Sequence, residues 1–107
     1  MTTFDKREEA FEKKFAHDEE LMFKATARRN RMLGMWAAEK LGFSGDKATD
    51  YAKDVVRSDF EEPGDEDVYR KVKADFEAAG LDISEHQLRR EMEELLAKAI
   101  EAVRTEA

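Results

Sequence analysis

Between Phe4 and Leu41 the chain has no proline and only one glycine, and it is filled with Ala, Glu, Lys, Arg and Met, the residues with the strongest intrinsic helix preference. One continuous helix over that stretch is about 57 Å long at a rise of about 1.5 Å per residue, well beyond the width of a small domain. At about 100° per residue, Phe4, Phe11, Phe15, Met22, Leu33 and Trp36 fall within about 40° of one line. A single apolar stripe therefore runs the length of the helix and needs a cover. Gly34 lies inside it and costs about 1 kcal/mol relative to Ala, which predicts either close backbone packing or a soft point. Leu41-Gly42-Phe43 predicts a helix end with Gly42 in the left-handed cap position.

Three shorter helices follow. Ser44 or Asp46 caps the second, which runs through Tyr51, Ala52, Val55, Val56 and Phe60 and stops at Glu61-Glu62-Pro63-Gly64. The third runs from about Glu66 through Val68, Tyr69, Val72 and Phe76 to Ala79, closed by Gly80. Ser84-Glu85-His86-Gln87 is a capping box for the fourth, in which Leu88, Met92, Leu95, Leu96, Ala99, Ile100 and Val103 recur at three and four. No segment alternates as a strand does. The expected fold is all-α, with residues 21–107 a four-helix domain and residues 1–20 a mobile amphipathic segment that overhangs it. Its expected core is Leu33, Trp36, Val55, Phe60, Val72, Phe76, Leu88, Met92, Leu95 and Ile100. With 107 residues and no cysteine, the chain suffices for one domain held by its own core, without disulfides or zinc-thiolate chemistry.

Charge is uneven. Against a total of −7, residues 1–20 carry −3, residues 21–60 carry +3 and residues 61–107 carry −7. Phosphate backbones repel such a chain, so nucleic acid is not an expected partner. No run of apolar residues reaches the length of a membrane span, and the first residues lack the apolar core of a secretory signal. A cytoplasmic chain without membrane insertion is expected.

Chemistry-bearing patterns are weak. His17-Asp18-Glu19-Glu20 offers metal-ligand types, but consecutive helical residues point in different directions. His86 sits in a capping box. A di-iron bundle needs Glu-x-x-His twice, and Lys14 and Ile83 stand where those glutamates belong. Asp59 to Arg70 resembles a calcium loop, yet Pro63 fills its fifth place and Arg70 its twelfth, where a bidentate Glu is required. No enzyme, cofactor or metal site is expected.

Two oddities remain. Lys24, Arg28 and Arg31 form a cationic strip opposite the apolar stripe, read either as a solvated face or as a site for an acidic surface or phosphate. Arg29 lies beside the stripe and needs an acidic partner from another helix. Phe4, Phe11 and Phe15 are three of the seven phenylalanines, set in a segment whose first twenty residues are more than half charged. Either the helix folds back and buries these rings in its own core, or it offers them to a partner's groove. An unsupported helix is marginal in water, so the second alternative implies ordering on binding.

The runs Phe4-Asp5-Lys6-Arg7-Glu8, Ala10-Phe11-Glu12, Lys14-Phe15-Ala16-His17-Asp18-Glu19-Glu20, Ala27-Arg28-Arg29-Asn30 and Leu33-Gly34-Met35-Trp36-Ala37-Ala38 resemble the zeta subunit of the alphaproteobacterial F-type ATP synthase. The resemblance covers nearly the whole chain and is densest over residues 4–42. It implies a protein inhibitor of ATP hydrolysis by the catalytic head, whose N-terminal segment wedges as a helix at an α/β catalytic interface against the γ stalk. The bundle anchors it outside. By that resemblance Phe4, Lys6, Arg7, Glu8, Phe11, Lys14, Phe15, His17, Arg28 and Arg29 are the partner-binding residues. The partners are the α, β and γ subunits, reached from the cytoplasm at the inner membrane by a chain that is monomeric when free. Alternatives read from the residues alone are a helical bundle that binds a small anion or nucleotide through Arg28 or Arg29, and a stand-alone helical adaptor.

Overall fold

A computed structural model describes the backbone of residues 3–59 and 65–106, and the side chains from residue 18 onward within those ranges. Four helices make up the fold: α1 (Thr3–Lys40), α2 (Gly45–Ser58), α3 (Glu66–Ala78) and α4 (Glu85–Glu106). The described residues contain no strand. Phe60 and the Pro63-Gly64 stop lie outside the described residues.

Local sequence explains the helix ends. Gly42 takes φ +81° and Gly80 takes φ +75°, a left-handed region that side chains with a Cβ avoid. Each lets the next residue reach back: Phe43 N–H donates to the Ala38 carbonyl at 2.8 Å, and Leu81 N–H to the Phe76 carbonyl at 2.9 Å. Phe43 and Leu81 then pack on the core, completing the usual hydrophobic closure of this helix ending. The capping box forms as the sequence predicts. The Ser84 hydroxyl accepts from Gln87 N–H, and the Gln87 side-chain oxygen accepts from Ser84 N–H, both at 3.1 Å. Ser44 stands at the N-cap of α2, but its hydroxyl makes no cap bond.

The order is up-down-up-down, with α1 as the central element. The buried series Leu88, Met92, Ala99, Val103 descends α1 from the level of Leu33 to that of Ala25, so α4 is antiparallel to α1. Tyr51 against Asp75 sets α2 antiparallel to α3. The approach of α2 to α1 is close enough to explain Gly34. A Cβ there would lie 2.5 Å from the Ala52 Cα, so the glycine marks close backbone packing and not a soft point. Ala37, Ala38, Ala48 and Ala52 are all buried, a seam of small side chains that keeps the helices near.

The main core holds Leu33, Val55, Val68, Tyr69, Val72, Phe76, Leu88, Met92 and Leu95. Trp36 is half-buried and meets Phe76 edge to face at 5.8 Å. A smaller cluster of Ala25, Ala99 and Val103 closes the other end, with Leu21, Leu96 and Ile100 packed on it. Two expected core residues, Trp36 and Ile100, are thus only partly covered. Met22, on the predicted stripe, is 43% exposed. The fold measures 64 × 25 × 22 Å, and the long dimension is that of α1.

Candidate partner-binding site

The side chains of Phe4, Lys6, Arg7, Glu8, Phe11, Lys14, Phe15 and His17 lie outside the described residues. Their backbone belongs to α1, which runs on into the bundle without a break. The segment and the bundle therefore share one helix.

Arg28 and Arg29 show how that helix is held. Arg29 is 1% exposed. Its guanidinium donates to Asp65 Oδ1 at 2.6 Å and, through Nε, to Asn30 Oδ1 at 2.8 Å. Asp65 is the N-cap residue of α3 and caps nothing with its side chain, because the carboxylate is committed to Arg29. This supplies the acidic partner that Arg29 requires beside the stripe. Arg28 donates through both terminal nitrogens to the Glu106 carboxylate, one bond at 2.7 Å. The bidentate pairing raises the Arg28 pKa and lowers that of Glu106. One turn of α1 is thereby clamped to the start of α3 and to the end of α4.

A second polar contact joins α2 to the far end of α3. The Tyr51 hydroxyl donates to Asp75 Oδ2 at 2.7 Å and Lys71 donates to the same oxygen at 3.1 Å. Burial, then the Asp75 carboxylate, raises the Tyr51 pKa. Burial likewise pushes the Asp59 carboxyl upward, against the favourable pull of Asn30 and Arg29. Asn30 is 1% exposed, packed between Arg29, which donates to its Oδ1, and the Asp59 carboxyl.

The cationic strip divides. Arg28 is spent on Glu106, Lys24 makes an exposed ion pair with Glu20 at 3.3 Å, and Arg31 has no ion pair among the described residues. Both arginines nominated for a small anion, Arg28 and Arg29, already hold carboxylates of the chain itself. What the sequence reading missed is Phe23, 72% exposed, with Met35 at 44%. The two line a groove of about 1020 Å³ between α1 and the end of α4. Their signal was present as large apolar residues on the charged side of α1, flanking Lys24 and Arg31, but it was hidden by the stronger stripe.

Among the described residues no group of His, Asp and Glu could hold a metal ion, and no helix is long and apolar enough to cross a membrane. α1 is thus one long helix held within the bundle by the buried guanidinium of Arg29. The family model for ATPase inhibitor subunit zeta matches residues 1–102. The chain belongs to the ATPase inhibitor subunit zeta family. It is therefore a regulatory, inhibitory protein associated with the F-type ATP synthase. A solution NMR structure of a protein 46% identical to it aligns over 81% of this chain and 99% of its own, with a TM-score of 0.71. No curated protein matches. The four helices of this zeta-family chain are thus shared with a relative of closely similar fold.

Proposed function

We propose that this zeta-family chain blocks ATP hydrolysis by inserting residues 1–20 as a helix at an α/β catalytic interface of the synthase head, against the γ stalk. Residues 21–107 remain outside as the bundle. The observation that carries this reading is the continuity of α1 from Thr3 to Lys40, with its bundle end locked by Arg28 to Glu106 and by Arg29 to Asp65. A wedge must resist the push of a rotating stalk. A helix pinned within the bundle by a buried guanidinium passes that load into the other helices, whereas a hinged segment would swing aside.

Phe4, Phe11 and Phe15 supply the apolar anchors, and Lys6, Arg7, Glu8, Lys14 and His17 set register against charged walls. Arg29 from inside the bundle and Arg28 at its surface orient the helix. Burying each ring contributes on the order of 2 kcal/mol, partly offset by about 1 to 2 kcal/mol per backbone residue that becomes ordered. The segment gains its full set of contacts only in the partner's groove. In this reading the protein is not an enzyme and is monomeric when free. It sits in the cytoplasm, at the inner membrane through the synthase.

The test is to delete residues 2–18, verify by circular dichroism and thermal melting that the bundle persists, and assay ATP hydrolysis by a purified synthase head. Loss of inhibition is expected. Inhibition equal to that of the full chain would place the inhibitory element elsewhere.

A further inference from the structure

In the bundle, α3 covers one side of α1 through Asp65 and Phe76. On another side α2 and α4 flank α1 without meeting each other among the described residues. The gap between them is the groove of about 1020 Å³. It runs into a second hollow of about 530 Å³ against α2, the two sharing Arg31, Met35 and Val56. The floor is α1, with α2 on one side and the end of α4 on the other, an apolar-lined depression of the kind in which amphipathic helices dock.

We propose that this cleft, marked by Phe23, Arg31 and Met35 of α1 with Lys53 and Val56 of α2, docks an apolar helix edged with carboxylates on the surface of the synthase head, a second anchor distinct from the N-terminal segment. The proposal rests on the inhibitor reading for the identity of the partner. Charge argues for an acidic occupant. Residues 21–60 carry +3 in a chain of −7, and Arg31 and Lys53 border the cleft with no ion pair among the described residues, while Arg57 has one long, exposed contact of 3.4 Å to Asp54. Apolar exposure argues for a protein occupant. Phe23 and Met35 stay in water at the edge of an apolar depression bordered by helices, a surface that an apolar helix face covers.

Position argues for the same partner. Phe23 lies eight residues beyond Phe15 on α1, about 12 Å along the axis, so a surface gripping residues 1–20 continues past the cleft. By helical register at about 100° per residue, Arg31 and Met35 fall on the side of α1 opposite positions 4, 11 and 15. A crevice between two subunits, with a wall on either side, meets both faces of the rod.

The experiment uses the full chain and a purified synthase head. Arg31→Glu with Lys53→Glu is expected to weaken head binding at least tenfold at low salt and to flatten its salt dependence. Phe23→Ser with Met35→Ser should weaken binding similarly and leave the salt dependence unchanged. Arg31 and Lys53 are charged surface groups and Phe23 and Met35 are exposed apolar ones, and helicity by circular dichroism is checked for each variant. The protein has no cysteine, so Met35→Cys carries a photocrosslinker at a single site, which should capture a head subunit in the folded chain.

Parent-like binding by both double variants, or no crosslink to the head, overturns the cleft and leaves the N-terminal reading standing. Groove-dependent binding by the intact chain without inhibition of hydrolysis supports the cleft and sinks the inhibitory segment. A crosslink to a second copy, or tighter binding to phosphatidylglycerol vesicles than to the head, also overturns the proposal.

Discussion

Arg29, 1% exposed in the middle of α1, is bonded to Asp65, half-exposed at the start of α3, at 2.6 Å. A guanidinium taken out of water needs a carboxylate and further acceptors, and Asn30 Oδ1 supplies one of them. The pair links helices whose backbones touch little, so it ties the start of α3 to α1.

Asp65→Ala should therefore destabilise the fold by about 2 to 3 kcal/mol, since it strands a buried cation. Arg29→Met in the same background should restore most of that loss, because an apolar side chain of similar length removes the unpaired charge. Urea unfolding of the single and double variants measures both. A double variant no more stable than Asp65→Ala would show that the arginine is not the origin of the cost.

Gly34→Ala is expected to destabilise by about 1 to 3 kcal/mol through overpacking. Alanine gains about 1 kcal/mol of helix propensity, yet its methyl carbon would sit 2.5 Å from the Ala52 Cα, a backbone atom that cannot rotate away. A midpoint shifted to higher denaturant would refute the close contact.

Asp59 should give a pH signature. Burial raises its folded-state pKa, so its protonated form favours folding. That contribution is complete below the unfolded value, about 3.9, and is lost as pH rises through the folded one. Asp59→Asn removes the carboxylate charge at neutral pH. Its melting temperature should exceed the parent's at pH 7, with the gap closing toward pH 3. A pH-independent difference would mean that the charge is not the cause.

Glu106 should behave in the opposite sense. Its pKa is lowered by Arg28, so the pair stabilises above the unfolded carboxylate value and the effect disappears as pH falls through the folded one. Glu106→Gln should fray the end of α4 at pH 7, read as faster amide exchange over its last turn, and match the parent at pH 2.

Phe11→Ala should leave the melting temperature of the bundle unchanged while weakening inhibition of the synthase head by about 10- to 30-fold, the equivalent of roughly 2 kcal/mol of ring burial. Dose-response curves of ATP hydrolysis measure it. An unchanged curve would remove Phe11 from the set of anchors.

The helices themselves were legible in the sequence, because caps, turns and periodicity act over a few residues. Gly42, Gly80 and the Ser84 to Gln87 box end or start helices where local geometry alone requires it. Leu33, Val72, Phe76 and Leu88 could be assigned to the core for the same reason: a residue recurring every three or four places faces one way in any helix. Even the need of Arg29 for an acidic partner followed from its angle on α1. Which acid answers it was decided only by the tertiary fold, as were the seating of Gly34 on Ala52, the closure of Arg28 by Glu106, and the open cleft that leaves Phe23 and Met35 in water. These depend on where helices cross and where a neighbour stops, distances between residues far apart in the chain, and a local pattern holds no information about them.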